Sequence, residues 1–200
     1  MLEYFSASMG VAAGCIAIVG EIWYNGSILS GRTRPDRLAW WILALTGWLG
    51  VGSHLALGGG WSVLVPLVIA IGMTVTAILS FLHGAPLMRG GLDRAALVTV
   101  ALGLLAWGMF GAPLLAMLAL IVVDTAAMAL NIHKAWQLPG SEARTPWAIA
   151  VLADLVNLLA VDPSGHGWIL PCYLLVTNLL MLASIIAATS RPLPPQPVEP

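Results

Sequence analysis

Three acidic residues lie inside apolar stretches of this 200-residue chain, and they are the side chains best suited to chemistry: Glu21, Asp124 and Asp154. An ionisable group at bilayer depth costs at least about 2.5 kcal/mol and marks a candidate functional site. No Lys or Arg lies deep in an apolar run to pair with these carboxyl groups. Because burial without a cation favours the neutral acid, we expect at least one of the three to be protonated near neutral pH.

Amide side chains accompany the acidic residues along the same apolar runs. Asn25 and Asn157 each stand about one helical turn from an acidic residue, Asn131 stands two turns away, and Asn178 lies in the last run. These amides could orient the carboxyl groups by hydrogen bonds. The alternative is that acids and amides only join helices, with each such bond worth about 0.6 kcal/mol.

Aromatic residues are the second feature with chemical potential, because the chain contains nine tryptophans. Trp23 and Tyr24 adjoin Glu21, and Trp48 and Trp107 lie deep in their apolar runs. An aromatic face beside a carboxylic acid suits a cationic substrate or intermediate, although packing or lipid contact explains such residues equally well. Tryptophans at the ends of apolar runs are predicted to be membrane-interface anchors: Trp40, Trp41, Trp61, Trp147 and Trp168.

The composition indicates a membrane protein, with 60% hydrophobic and only 8% charged residues. The net charge of −1 offers no basic face for nucleic acid. His54 and His133 have no partners at metal-ligand spacing, and no Asp-rich diphosphate motif or phosphate-binding glycine loop is present. We therefore predict no metal and no cofactor.

Seven runs approach the roughly 20 apolar residues that a membrane span requires, so we predict an all-α protein with seven transmembrane helices. The runs are Tyr4–Asn25, Leu38–Leu57, Trp61–Leu82, Ala95–Phe110, Pro113–His133, Trp147–Val161 and Trp168–Ala187. Connections after the first, third and fifth runs are polar, whereas the others carry no Lys or Arg. The positive-inside rule then places the N-terminus outside and the C-terminus in the cytoplasm. All eight basic residues fall on the cytoplasmic side: Arg32, Arg34, Arg37, Arg89, Arg94, Lys134, Arg144 and Arg191.

A weak internal repeat suggests how the seven helices are organised. The same number of residues separates Asn25 from Trp41 and Asn131 from Trp147, with a proline-containing turn between them in both cases. We predict one domain over residues 1–190, with parallel repeats at about 4–83 and 112–188 and a linker helix at about 94–110. Residues 191–200 are proline-rich and are expected to form a disordered tail. In this topology the three acids open onto one cavity on the cytoplasmic side of the midplane.

Two families of small membrane proteins share features with the chain. The seven-helix topology and the two turns, Tyr24-Asn-Gly-Ser-Ile-Leu-Ser-Gly-Arg-Thr-Arg-Pro and Asn131-Ile-His-Lys-Ala-Trp-Gln-Leu-Pro, resemble the PQ-loop and SWEET transporters. The Pro-Gln pair of those transporters is absent at both places. The size, the intramembrane acids and the segment Gly20-Glu21-Ile-Trp23-Tyr24-Asn25 resemble the small bacterial integral-membrane terpene cyclases of indole sesquiterpenoid and drimane-type pathways.

The second resemblance implies an enzyme of the cytoplasmic membrane that protonates an alkene or epoxide of a prenylated substrate without a metal. Glu21 or Asp124 would supply the proton, and Asp154 would take the final one. The residues that would line the substrate site are Trp23, Tyr24, Trp48, Trp107, Asn25, Asn131, Asn157 and Asn178. The first resemblance implies instead a small-solute transporter that uses the same acids for proton coupling. The sequence favours the cyclase, with a lipophilic prenylated molecule as its partner.

Overall fold

The computed structural model describes residues 2–85, 91–109, 113–162 and 165–190, and these residues form a bundle of seven α-helices with no strand. The prediction of seven helices in an all-α fold is confirmed. The tail at 191–200, together with Arg89 and Phe110, lies outside the described residues. The helices are α1 (Leu2–Leu29), α2 (Arg37–Ala56), α3 (Leu64–His83), α4 (Gly91–Met109), α5 (Pro113–Gln137), α6 (Arg144–Leu158) and α7 (Ile169–Thr189), and a 3₁₀ turn at Gly60–Val63 leads into α3.

Among the described residues, five helical segments are long and apolar enough to cross a membrane: α1, α2, Gly60–His83, α5 and α7. Helix α6 has 15 residues, which at 1.5 Å per residue is shorter than the roughly 30 Å of a bilayer core. Large apolar side chains cover the outside of the bundle, and Leu82, for example, is 83% exposed. These features indicate a multi-pass membrane protein.

Six of the described helices contact one another in a closed ring, in the order α1, α3, α2, α5, α7 and α6, and α4 packs against α5. Helix α3 packs against both α1 and α2, and α7 packs against both α5 and α6. The ring is completed by α1 against α6 and by α2 against α5. We call α1–α3 the first unit and α5–α7 the second unit.

The loops that follow α1, α3 and α5 meet at one end of the bundle. The backbone N–H of Arg34 donates to the carbonyl of Ser141 at 2.9 Å, which joins the α1–α2 loop to the α5–α6 loop. The N–H of Ala85, just after α3, donates to the carbonyl of Pro35 at 2.9 Å. Three connections that the sequence places on one side are therefore in contact. We call this end of the bundle the loop end.

Two of the tryptophans predicted to be interface anchors are instead in the core, and that prediction is wrong for them. Trp40 is only 4% exposed and Trp147 only 6%, whereas Trp41 is 43% exposed. Neighbouring residues of a helix point about 100° apart, so Trp40 and Trp41 face opposite environments. Both residues lie near the start of α2, so their position in the helix did not show which of them is buried.

Candidate functional site

A cavity lies between the two units and is lined by residues from every helix except α4. It encloses about 680 Å³ of space free of protein atoms, including its open side. Its wall is mostly apolar and contains no Lys or Arg among the described residues. The polar side chains in the wall are Glu21, Tyr24, Asp124, Thr177 and Asn178. Two of the three predicted acids therefore face one cavity.

Glu21 enters the cavity from α1 and packs against α3 where α3 has a glycine. A Cβ atom at Gly72 would come within 1.9 Å of a Glu21 carboxyl oxygen, so any other residue at this position would displace the carboxyl group from its place against α3. Among the described residues, the Glu21 carboxyl has no hydrogen-bond partner. Asn25 does not orient it: its side-chain N–H donates to the Glu21 backbone carbonyl at 3.0 Å, and its oxygen accepts from Thr76 of α3 at 3.0 Å. Asn25 thus joins α1 to α3.

Asp124 has the opposite surroundings, because hydroxyl groups from both units donate to its carboxyl group. Thr46 of α2 donates to one oxygen at 2.6 Å, and Tyr173 of α7 donates to the other at 2.8 Å. These lengths are typical of hydroxyl donors on a carboxylate. Sequence reasoning did not select Tyr173, although a tyrosine within an apolar run needs a partner for its hydroxyl group. This need for a hydrogen-bond partner could have identified Tyr173 as a candidate from the sequence.

Asp154 lies behind the cavity wall rather than in it. One of its carboxyl oxygens accepts a hydrogen bond from the Asn178 side chain at 2.7 Å, and the Asn178 side chain lines the cavity. Asn157 was expected to orient Asp154, but it donates to the backbone carbonyl of Ser62 at 3.1 Å and joins α6 to the 3₁₀ turn. Asn131 is fully buried, and its amide has no hydrogen-bond partner in the described part of the chain.

Three aromatic rings form one wall of the cavity: Tyr24, Trp40 and Trp147. The ring centroid of Tyr24 lies 5.0 Å from that of Trp40 and 5.9 Å from that of Trp147. The two tryptophan centroids are 6.4 Å apart. These distances are typical of favourable aromatic pairs, and the rings meet tilted or edge to face, with Tyr24 and Trp147 at an interplanar angle of 83°.

The other aromatic residues predicted for the cavity lie elsewhere. Trp23 and Trp48 are each 47% exposed, and neither lines the cavity. Trp23 follows Ile22 on the outer face of α1, about 100° from Tyr24. Trp48 donates its ring N–H to Thr74 of α3 at 3.0 Å. Trp107 belongs to α4, and its side chain lies outside the described residues. The prediction that Trp23 and Trp48 line the cavity is therefore corrected.

A buried ion pair lies next to the aromatic wall, and sequence reasoning missed it by placing both residues in a loop. Lys134 and Glu142 pair directly, and each side chain is 1% exposed. The Tyr24 hydroxyl donates to Glu142 at 3.1 Å, and the Trp147 ring N–H donates to it at 3.3 Å. The Lys134 ammonium also donates to the carbonyl of Arg34 at 2.6 Å. The sequence does place a Lys and a Glu on either side of a Pro-Gly turn, and this arrangement could have predicted the ion pair.

A second, smaller cavity continues the first towards the other end of the bundle. Its wall is almost entirely apolar, and it includes Gly50 of α2 and Met117 of α5. Four residues line both cavities: Ile69, Met73, Asp124 and Leu174. Asp124 and its two hydroxyl partners thus stand where the two cavities meet.

Comparisons of the chain with protein-family models, curated proteins and solved structures find no match. A function must therefore rest on the chemistry of the cavity rather than on kinship. That chemistry combines one carboxyl group without a hydrogen-bond partner in the described chain, one carboxyl group with two, and an aromatic wall.

The contact between Glu21 and Gly72 predicts energetic coupling between these positions. An alanine in a helix normally adds about 0.5–1 kcal/mol of stability over glycine. We expect Gly72→Ala to give this gain only in a Glu21→Ala background, because in the native chain the methyl group displaces the carboxyl group. A double-mutant cycle of unfolding in detergent should give an interaction energy of about 1 kcal/mol or more. Gly52→Ala, at an open position, is the control, and equal effects of Gly72→Ala in both backgrounds would refute the contact.

Proposed function

We propose that the chain is a membrane-bound, metal-independent terpene cyclase that protonates an alkene or epoxide of a prenylated substrate. One observation carries the proposal: the Glu21 carboxyl faces a largely apolar cavity without a hydrogen-bond partner among the described residues, beside three packed aromatic rings. Such a carboxyl group is a proton donor in a site of low polarity, where proton transfer to a weak base becomes feasible.

The two carboxyl groups in the cavity suit different steps. Glu21 transfers its proton to the alkene carbon or the epoxide oxygen, and a cation forms on the prenyl chain. The alkene bonds of the chain attack this cation in turn, so that carbon–carbon bonds form and the charge moves along the chain. Asp124, held by Thr46 and Tyr173, accepts the proton that leaves in the last step. A proton then returns from Asp124 to Glu21, and the product has the mass of the substrate.

The aromatic wall and the hidden third acid would support these steps. Tyr24, Trp40 and Trp147 present ring faces to the cation, which electron-rich rings stabilise. Asp154 does not reach the cavity, so we assign it a positioning role, in which it holds the amide of Asn178 at the wall. The apolar second cavity would receive the part of the prenyl chain that does not react first, because its wall is almost entirely apolar and it adjoins the first cavity.

The packing of the bundle supports two parallel three-helix repeats joined by α4. Arg37, the first residue of α2, donates to carbonyls at the end of α3, including that of Phe81 at 3.1 Å. Arg144, the first residue of α6, donates to Thr189 at the end of α7. Each arginine stands three residues before a buried tryptophan, so Trp40 and Trp147 correspond better than the Trp41–Trp147 pair that the sequence suggested. The many basic residues near the loop end favour a cytoplasmic position for it, in the cell membrane.

A transporter of the SWEET type is the second candidate, and the packing between units favours it. Helix α1 packs on α6 while α2 packs on α5, and the cavity lies between the units. Parallel repeats with a shared central site are a common transporter design. In this alternative, the same carboxyl groups would bind protons and couple them to solute movement.

Membranes that contain the protein should convert a farnesylated indole, or its epoxide, to a cyclised isomer of unchanged mass. Glu21→Gln and Asp124→Asn should each lower the rate by about 100-fold or more, because each removes a proton-transfer group. Trp23→Phe and Trp48→Phe, outside the cavity, are the matched controls and should retain activity. Mass spectrometry shows that the product has the mass of the substrate, and chromatography measures the rate at which each variant forms it.

Two outcomes would contradict parts of this proposal. If no prenylated substrate gives a product, and proteoliposomes take up a small solute instead, the transporter is correct. If a product forms but both carboxyl variants keep their full rate, the cyclase stands and the site assignment is wrong.

Filling the second cavity should shorten the prenyl chain that the protein accepts. A Cβ atom at Gly50 would meet only Leu170, at 3.8 Å, so Gly50→Leu adds its bulk to the cavity without a backbone clash. We expect turnover of a farnesyl substrate to fall by about tenfold or more relative to its geranyl analogue, since losing the burial of a few CH₂ groups at about 0.8 kcal/mol each is sufficient. Gly52→Leu, which faces outward from the same helix, should leave the ratio unchanged. An unchanged ratio in Gly50→Leu would show that the chain does not enter this cavity.

A further inference from the structure

The Glu142 carboxylate receives hydrogen bonds from both units at the loop end. Tyr24 donates to it from α1 of the first unit, and Trp147 donates from α6 of the second. Lys134 of α5 pairs with it and also donates to the carbonyl of Arg34, in the first unit's loop. We define these four side chains, Tyr24, Lys134, Glu142 and Trp147, with the Arg34 carbonyl, as the Glu142 latch.

We propose that the Glu142 latch is a gate that closes the cavity at the loop end and opens when its bonds between the two units break. The latch lies next to the cavity, because Tyr24 and Trp147 both line the cavity and both donate a hydrogen bond to Glu142. The two loops are also joined by the bond from Arg34 to Ser141 at 2.9 Å.

The burial of an ion pair at this point is informative. Buried pairs gain little stability over apolar residues of similar size, because removing two charges from water offsets their attraction. Their best-attested use is to fix one arrangement of elements against another. Here both members of the pair belong to the second unit, and two bonds fix it against the first unit: one from Tyr24 to Glu142 and one from Lys134 to the carbonyl of Arg34. Because one ion pair holds both bonds, we expect them to form and break together. The latch therefore suits two discrete states.

The latch also gives the cavity's occupant an influence on the gate. A molecule that tilts the Tyr24 ring must lengthen the bond from Tyr24 to Glu142, which joins the two units, so occupancy and opening are coupled in free energy. This holds for either proposed function, because a cyclase must exclude water from a cation and a transporter must close one side of its site. The inference does not depend on which of the two is correct.

Cysteine labelling in nanodiscs tests the gate directly. The native thiols Cys15 and Cys172 are replaced by serine, and Ala150→Cys places a single thiol in the cavity wall. We expect Glu142→Gln to raise the rate of labelling by a small water-soluble maleimide about tenfold, since it removes a hydrogen bond to a charged group. Tyr24→Phe, which keeps the ring and loses one bond, should give a smaller rise of about threefold.

Two controls separate an open gate from a loosened fold. Leu170→Cys reports the second cavity, and Glu142→Gln should leave its labelling rate unchanged. Arg144→Gln removes a polar contact at the same end but within one unit, and it should leave Ala150→Cys labelling unchanged. An unchanged rate at Ala150→Cys in Glu142→Gln, or an equal rise at Leu170→Cys, would overturn the gate.

A further variant applies if Glu142→Gln does not fold. Lys134→Met combined with Glu142→Leu removes both charges together, and such apolar replacements of buried pairs usually preserve the fold. The gate requires the same rise in Ala150→Cys labelling in this double variant. If its labelling matches that of the native latch, the proposal is wrong.

Discussion

The cost of placing charged and polar groups inside an apolar bundle is the constraint on which the rest of this structure depends. Without water, each carboxyl group must find a partner on another helix or remain neutral. Asp124 finds partners on α2 and α7, Asp154 finds Asn178 on α7, and Glu142 finds donors from both units. These bonds hold the helices in register around the cavity. Glu21 is the exception among the cavity acids described, and that difference is the basis of its proposed role as the acid.

The polar groups are also separated along the length of the bundle. The paired charges of Lys134 and Glu142 lie at the loop end, the aromatic rings lie next to them, and Asp124 lies where the two cavities meet. This order keeps a full cation away from the cavity wall while an electron-rich surface remains there. A carbocation or an organic cation would meet ring faces and carboxyl groups rather than an ammonium group. The same order serves proton transfer in either proposed function.

Much of this architecture could be predicted from the sequence, because the length of an apolar run and the position of its charges are local properties. The seven helices and the set of intramembrane acids follow from such properties. The direction of a side chain does not, because one residue along a helix turns it by about 100°. For that reason Tyr24 and Trp40 face the core, whereas Trp23 and Trp41 face outward. Because these helices are almost equally hydrophobic on all sides, the sequence did not indicate which face of each helix is turned to the core.

Partners that lie far apart in the sequence were harder still to predict. Asn157 is one turn from Asp154 in the chain, yet the carboxyl group binds Asn178 on the next helix. Lys134 and Glu142 were assigned to a polar connection, but the close contact of the two loops buries both. In both cases the packing of helices and loops within the second unit selects the partner, and local spacing carries no information about it.

The protonation state of Glu21 in the resting protein tests the central claim most directly. Infrared spectra of the protein in lipid at neutral pH, compared with those of Glu21→Gln and Asp124→Asn, resolve the carbonyl stretch of a neutral carboxylic acid. We predict a band that is present in the native protein, absent in Glu21→Gln and retained in Asp124→Asn. A band that persists unchanged in Glu21→Gln would show that Glu21 is not the acid of this cavity.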